Sequence, residues 1–247
     1  MRLRGPLTAV AVAGAANAVP GLGVVGRVRI PGVLRSVPGP NVAVLTFDDG
    51  PHPAGTPAVL EALDQLGARA TFFVMSAAAQ QHATIIDDVV AAGHEIALHG
   101  ARHLPHPLRW PAALVDELRR AQAVVEDLSG QPVRALRAPF GAAAVATVAH
   151  ARRAGLVLAG WASWGRDWEA RATPESICAR VLGSLTPGGL VLLHDSDAYS
   201  AAGSWRRTVA ALPTILEGIA EQGLRIVTLR DALESADARA TRWEGGR

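Results

Sequence analysis

The sequence contains no lysine, because all 24 of its lysine-plus-arginine residues are arginine. The chain therefore cannot form the Schiff base of pyridoxal enzymes and lysine aldolases, and it lacks the phosphate-binding lysine of a Walker-type kinase. Its one cysteine, Cys178, permits no internal disulfide, and the surrounding helical pattern indicates a small buried side chain. The missing lysine thus excludes several large enzyme classes.

Net charge is also low, at +2, and no run or stripe of basic residues is present. Nucleic acid is therefore not expected as a partner. With 49% hydrophobic and 19% charged residues, the composition is that of a globular protein. A chain of 247 residues is also within the range of a single α/β-barrel domain.

Residues 1–40 are predicted to form an N-terminal apolar segment and linker outside the main domain. Residues 5–26 carry no charge, follow two arginines, and include Ala16-Asn17-Ala18, which resembles a signal cleavage site. Prolines and glycines interrupt this stretch, so a packing segment is the alternative, and any membrane association is expected through residues 5–26 only. Secretion or a cell-envelope location is favoured over the cytoplasm. Residues 27–40, rich in Pro, Gly and Arg, indicate a linker or a wrap around the domain.

From residue 41 onward, short apolar segments alternate with segments of helical periodicity, which predicts a parallel sheet with helices outside it. The predicted strands are 41–48, 69–76, 95–100, 134–139, 156–162, 189–194 and 224–229. The predicted helices are 55–66, 78–92, 111–128, 142–154, 174–185 and 206–222. The fold class is thus α/β, a barrel of parallel strands, with a single domain at 41–233 and a frayed tail at 234–247.

Two adjacent acids, Asp48 and Asp49, stand at the end of the first predicted strand and precede a Gly-Pro turn. Neighbouring strand residues point to opposite faces, so a tight turn is needed to bring both carboxylates into one site. Like charges this close favour a bound cation. His99 and His103 follow another strand at a spacing that would place both imidazoles on one helical face. One carboxylate and two histidines form a catalytic type of metal site, although such a histidine pair alone is more often a surface arrangement.

Five short motifs carry a family resemblance. In chain order they are Thr46-Phe47-Asp48-Asp49-Gly50-Pro51, His99-Gly100-Ala101-Arg102-His103, Arg137-Ala138-Pro139-Phe140-Gly141, Asp167-Trp168 and Leu192-Leu193-His194-Asp195. They resemble the motifs of the metal-dependent polysaccharide deacetylases, which share the NodB homology domain (carbohydrate esterase family 4). Each motif is a weak signal, but five in the family's order over roughly residues 41–233 are specific. The resemblance implies a distorted barrel of seven strands.

The resemblance implies that Asp49, His99 and His103 bind one divalent metal ion. Zinc is the default for this ligand set, and cobalt, nickel or manganese are the alternatives. Gly100 stands where the family often has Ser or Thr, so the missing hydroxyl is expected to weaken support of the ligands.

Four residues are the expected catalytic groups. Asp48 suits a general base, and the resemblance pairs it with Arg137, for which a surface salt bridge is the alternative. His194 is the expected general acid, oriented by Asp167; a histidine at a strand end is otherwise often a core residue.

The expected substrate-binding residues are largely aromatic. The backbone N–H of Phe140 is expected to stabilise an oxyanion, while Trp168 and Leu192 would enclose the acetyl methyl group. Trp161 and Trp164 are expected to stack on a sugar ring, with Trp164 standing where the family often has aspartate. The loop from Asp195 towards Trp205 is either a substrate rim or a solvated loop.

The function that the resemblance implies is removal of N-acetyl groups from amino sugars in a polysaccharide or oligosaccharide, peptidoglycan-like or chitin-like, with metal-bound water attacking the acetamide. The alternatives are deacetylation of a small aminosugar metabolite and O-deacetylation of xylan. Outside the enzymes, the alternative is a carbohydrate-binding protein with a vestigial site. The presence of a base, three ligands and an acid counts against that last alternative.

Overall fold

The computed structural model describes residues 32–38 and 41–244. The strands within these residues are β1 (Val33–Leu34), β2 (Val42–Asp48), β3 (Thr71–Met75), β4 (Glu95–Gly100), β5 (Ala135–Leu136), β6 (Val157–Ala159), β7 (Ser163–Trp164), β8 (Leu190–His194) and β9 (Arg225–Val227). The helices are α1 (Gly55–Gln65), α2 (Ser76–Gln81), α3 (Ala83–Ala91), α4 (Pro111–Ser129), α5 (Val145–Arg153), α6 (Pro174–Ser184), α7 (Ser204–Glu221) and α8 (Leu229–Glu244). Short 3₁₀ turns cover His106–Leu108 and Pro139–Gly141.

The described strands form one sheet in the order β1-β6-β5-β4-β3-β2-β8-β7, with β9 also paired to β2, and all these pairs are parallel. The segment after β1 reaches β8, where the Val37 N–H donates to the Gly188 carbonyl at 2.9 Å and Ser36 bridges Gly189. The sheet is thereby curved into a distorted barrel with helices outside. The predicted fold class is confirmed.

Strand β2 shows how the barrel positions its functional end. Every residue of β2 is buried, as expected for a parallel strand that is covered on both faces. Ala43, Leu45 and Phe47 pack towards the helices, whereas Val42 and Val44 belong to the second apolar cluster, with Phe73 and Ala97. By the two-residue period, Thr46 and Asp48 share the face of Val44, and Asp48 ends the strand there.

The structure differs from the predicted elements at three places. Val33 and Leu34 form a strand of the sheet and Ser36 bridges Gly189, so the chain joins the barrel before the predicted domain start at residue 41. The predicted helix at 78–92 is divided at His82 into α2 and α3. β7 was missed because only two residues of the tryptophan-rich stretch pair with β8.

The prediction of a frayed tail from residue 234 is wrong for residues 234–244, which continue α8 to Glu244. The start of α8 is fixed in the barrel by Leu229, which is fully buried, and Ala232, which is 4% exposed. Ala, Arg and Glu dominate the following turns and favour helix intrinsically. Burial of the first turn thus anchors a helix whose later turns consist largely of helix-forming residues.

No helix in the described part of the chain is both long and apolar enough to cross a bilayer. The stretch for which membrane association is predicted, residues 5–26, lies outside the described residues.

Glu95 links the opposite end of the barrel to α8. Its Oε2 accepts hydrogen bonds from Thr71 Oγ1 and from the Arg230 N–H, both at 2.8 Å, and Thr71 Oγ1 accepts from the Leu229 N–H at 2.9 Å. Its Oε1 is buried without a hydrogen-bond partner. Burial raises the pKa of Glu95 above its ordinary value of 4.5, despite these hydrogen bonds.

We expect Glu95→Gln to remove a pH-dependent loss of stability. Above pH 4.5 the unfolded chain releases this proton while the folded protein keeps it, so stability falls as pH rises until the raised folded-state pKa is passed. The slope in that interval is at most about 1.4 kcal/mol per pH unit. Urea unfolding from pH 4 to pH 8 should therefore show a flatter profile for Glu95→Gln than for wild type, while Glu217→Gln, at an exposed position of α7, should follow wild type. Parallel profiles for Glu95→Gln and wild type would contradict the assignment.

Candidate active site

Asp48 and Asp49 reach the same site because the backbone turns between them. Asp49 has φ 78°, in the left-handed region, which reverses the alternation of strand side chains. The two residues are 3% and 4% exposed. The next residue must be glycine, because a Cβ on Gly50 would lie 2.3 Å from Asp195 Oδ2.

His99 and His103 converge with Asp49, but not on a helix as the spacing predicts. His99 lies in β4, where the register with β3 shifts and Met75 pairs with Gly100. Gly100 then adopts φ 115°, and the chain bends through to His103. A strand irregularity of this kind re-aims side chains, and here it produces the convergence that a helical turn would have produced.

The chemistry of these three residues fits a metal ion. The Nε2 atoms of His99 and His103 each lie 3.3 Å from Asp49 Oδ1, and that oxygen is buried without a hydrogen-bond partner. His99 Nδ1 lies 2.9 Å from the Arg137 carbonyl, which can only accept, so Nδ1 carries the proton and Nε2 of the neutral ring offers a lone pair. The three potential ligand atoms lie within 4.8 Å of one another. A cation would satisfy all of them.

Electrostatics favour the ligand forms of these side chains. Burial lowers the pKa of His103 to about 4, against the opposing effect of Asp49, so the imidazole is neutral near pH 7. Burial alone would raise the pKa of Asp49, but the adjacent His99 ring and the positive charge of His194 outweigh burial and lower this pKa to about 2. Neutral imidazoles and an ionised carboxylate are the forms that bind metals.

Arg137 is fully buried and holds Asp48 on the side facing away from the ligands. Its Nη1 donates to Asp48 Oδ1 at 2.6 Å and to Thr46 Oγ1 at 2.8 Å, and its Nη2 donates to the Gly160 carbonyl at 2.8 Å. Asp48 Oδ2 is left directed at the site, 3.7 Å from His99 Nε2. The alternative of a surface salt bridge for Arg137 is therefore wrong.

His194 is the partner of Asp48 on the adjacent strand β8, and Asp167 lies behind its ring. His194 Nδ1 lies 2.9 Å from Asp167 Oδ1, so the hydrogen bond expected from the motifs is present. His194 Nε2 faces the site, 4.0 Å from Asp49 Oδ2. Burial lowers the pKa of His194, but the contact with Asp167 and the charges of Asp49 and Asp48 outweigh it and raise the pKa to about 10.

These groups open into a cavity of about 230 Å³. It is lined by Asp48, Asp49, His99, His103, Phe140, Gly141, Trp161, Trp164, Trp168, Leu192, His194, Tyr199 and Ser200. All five residues predicted to bind substrate are therefore at the cavity. Arg137 and Asp167 are fully buried and support it from behind.

Aromatic rings form two walls of the cavity. On one side, His103 lies between Phe140, at 4.2 Å between ring centroids, and Tyr199, at 4.4 Å and nearly parallel. On the other side, Trp161 stacks on Trp164 at 5.7 Å, Trp164 contacts Trp168 at 5.3 Å, and Trp168 lies edge-on to His194. Trp164 remains 38% exposed, which leaves part of its ring available to a ligand.

The loop expected to form a rim reaches the cavity at Tyr199 and Ser200, whereas the burial of Asp195 was not predicted. Asp195 is 1% exposed, and Thr56 Oγ1 donates to it at 2.5 Å, so the solvated-loop alternative is wrong at this residue. The loop that follows is fixed by Asp197, which contacts His52 Nε2 at 3.2 Å and accepts from the Gly203 N–H. The polar and aromatic composition of this loop predicts that it borders the cavity, but it does not predict which aromatic ring lies there.

Comparison with known proteins agrees with this geometry. Residues 35–159 match the polysaccharide deacetylase family. A chitooligosaccharide deacetylase of Bradyrhizobium sp. (strain ANU 289) is 35% identical over 197 residues, covering 77% of this chain and 90% of that protein. A peptidoglycan-N-acetylglucosamine deacetylase of Bacillus cereus is 34% identical over 194 residues, covering 78% and 88%. The crystal structure of the Bc1960 peptidoglycan N-acetylglucosamine deacetylase superposes with a TM-score of 0.75 at 25% identity, covering 81% and 92%.

The fold and the site together indicate a barrel protein with a candidate metal-binding site, formed by Asp49, His99 and His103 at one end of the barrel. The chain belongs to the polysaccharide deacetylase family.

We expect His103→Ala to weaken binding of a divalent cation by more than about tenfold, since loss of even an outer-shell partner of a ligand costs that much. Titration of the metal-free protein with zinc, followed by calorimetry, measures the change. His82→Ala, which alters a histidine between α2 and α3, should bind like wild type. Unchanged affinity in His103→Ala would remove this residue from the ligand set.

Proposed function

We propose that the protein is a hydrolase that removes N-acetyl groups from amino sugars in a glycan. The observation that supports this most is that Asp48 and His194, which are partners on adjacent strands, both border the Asp49-His99-His103 cluster. Each of the two carries one atom directed at the site and one atom held from behind. Amide hydrolysis needs a base for the attacking water and an acid for the departing amine, and this arrangement offers both.

Asp48 is the proposed base. Its Oδ1 is held by Arg137, so its Oδ2 is the oxygen available to take a proton from the attacking water. Arg137 orients the buried carboxylate and lies beside it as the opposite charge.

His194 is the proposed acid. Asp167 fixes the proton on Nδ1, so Nε2 is the atom that donates to the sugar nitrogen as the carbon–nitrogen bond breaks. The products are the free amine and acetic acid, which ionises to acetate; of the two protons given up by acetic acid and Asp48, one restores His194 and the other goes to solvent.

The walls of the cavity suit the acetyl group. Phe140 has φ 58°, an uncommon conformation for a residue with a side chain, and we propose that its N–H donates to the developing oxyanion. Trp168 and Leu192, both at the cavity, would enclose the methyl group.

Asp49, His99 and His103 would hold the metal ion, for which we propose zinc, with cobalt, nickel or manganese as alternatives. When bound, such an ion would acidify water and polarise the acetyl carbonyl.

The substrate class is proposed from the cavity and the relatives together. The exposed part of Trp164 and its neighbour Trp161 offer apolar ring faces for a sugar. The relatives reported above are named for chitooligosaccharide and peptidoglycan N-acetylglucosamine. We therefore propose a cell-envelope or extracellular glycan of N-acetylglucosamine, over a small aminosugar metabolite or acetyl xylan.

Acetate release from N-acetylglucosamine oligomers tests the function. We expect zinc-loaded wild type to release acetate, and Asp48→Asn to bind zinc with unchanged stoichiometry while losing about 10²- to 10⁴-fold in kcat, the usual contribution of a general base. Loss of zinc by Asp48→Asn would make Asp48 a ligand. Sugar binding by wild type without any acetate release would favour the vestigial binding protein.

We expect Trp164→Ala to raise KM for an oligomer by roughly 3- to 10-fold, the scale of one aromatic contact, while kcat changes little. Steady-state kinetics with tetramer and monomer measure this. Trp110→Ala, which removes a ring that is 55% exposed away from the cavity lining, is the matched control. An equal effect of both variants would contradict the stacking role.

A further inference from the structure

The Asp167 carboxylate accepts hydrogen bonds from three donors, two of which belong to His194. The His194 N–H donates to Asp167 Oδ2 at 2.7 Å, and the His194 ring contacts Oδ1 at 2.9 Å. The third donor is Thr208 Oγ1, which lies 2.8 Å from Oδ2. Thr208 is 41 residues away in sequence, on α7, and none of the five motifs contains it.

The Thr208 hydroxyl has one acceptor at a short distance, Asp167 Oδ2. Thr208 and Asp167 are both fully buried, so water does not replace the contact. The other acceptor in reach, the Ser204 carbonyl, lies at 3.4 Å, so the single hydroxyl proton is directed at the carboxylate. An ionised carboxylate in a buried position needs such donors, because each one left out costs desolvation without compensation.

These three hydrogen bonds also fix the orientation of the Asp167 carboxylate. With Oδ2 held by two donors, Oδ1 is aimed at His194 Nδ1, which keeps Nε2 pointing into the cavity. Thr208 does not line the cavity, so it is not a candidate for contact with substrate.

We propose that Thr208 is a positioning residue for protonation of the leaving amine, acting through Asp167 on His194. This rests on the proposed function, in which His194 donates a proton to the sugar nitrogen. Protonation matters only where the leaving group is poor: an amine must be protonated to depart, whereas a nitrophenolate departs without it.

The test compares two substrates and two substitutions in the zinc-loaded full chain. Thr208→Val removes the hydroxyl with little change in shape, and Thr208→Ser keeps it. For acetate release from an N-acetylglucosamine oligomer, we expect Thr208→Val to lose roughly tenfold or more in kcat with KM unchanged, the scale of one hydrogen bond to a charged group. For hydrolysis of p-nitrophenyl acetate, the loss should stay below about twofold, and Thr208→Ser should resemble wild type on both. Thr214→Val, at an exposed position of the same helix, is the control for α7.

Two further measurements separate positioning from general support. In an Asp167→Ala background, Thr208→Val should add little, because the acceptor of the Thr208 hydroxyl is gone. The proton resonance of His194 Nδ1–H, observed without substrate, should move in Thr208→Val and stay in Thr208→Ser. If Thr208→Val does not fold, Thr208→Ala compared with Thr208→Ser gives the same contrast.

Equal losses on the amide and the ester in folded, zinc-loaded Thr208→Val would overturn the proposal, as would full amide activity or an unchanged resonance. These results would leave the proposed function intact. Absence of acetate release by wild type would instead overturn the proposed function and this inference together.

Discussion

The buried ion pair between Arg137 and Asp48 is the contact on which the site depends. Arg137 has no exposed surface, packs its guanidinium 4.0 Å from the Phe73 ring centroid, and finds its acceptors in Asp48, Thr46 and a backbone carbonyl. Removing one partner from such a pair typically costs about 3–5 kcal/mol, because the other charge is left buried. The same residue also accepts from His99 through its carbonyl oxygen. One arginine thereby sets the proposed base and the tautomer of a proposed metal ligand.

This arrangement gives the adjacent residues Asp48 and Asp49 different proposed roles, Asp48 as the base and Asp49 as a metal ligand. Asp48 is bound to a guanidinium, which withdraws one of its oxygens from the site. Asp49 faces imidazoles, and its Oδ1 lies 3.3 Å from Nε2 of both His99 and His103. The left-handed backbone at Asp49 makes the division possible, since an extended strand would have pointed the two carboxylates apart. His194 and Asp167 repeat the principle, with one ring atom held and the other free to act.

The sequence predicted the barrel because alternating elements are a local signal, and the strand-end motifs named residues that the structure brings together at one cavity. It failed where tertiary contacts decide the conformation. The irregularity in β4 that orients His99 arises from its pairing with β3. The spacing of His99 and His103 correctly predicted that the two side chains lie together, but it predicted a helix where the structure has a strand end and a bend. Val33 and Leu34 belong to a segment rich in glycine and proline, so only their contacts with other strands reveal that they close the barrel. Thr208 lies on an ordinary amphipathic helix, where nothing in the sequence distinguishes it from a packing residue.

The most direct measurement is a crystal structure of the zinc-loaded protein with the ion located by anomalous scattering. The account predicts one peak about 2.0–2.2 Å from a carboxylate oxygen of Asp49 and from Nε2 of His99 and His103, with Asp48 Oδ1 still bound to Arg137. A peak coordinated by Asp48, with Arg137 detached from it, would contradict the division of roles between the two acids.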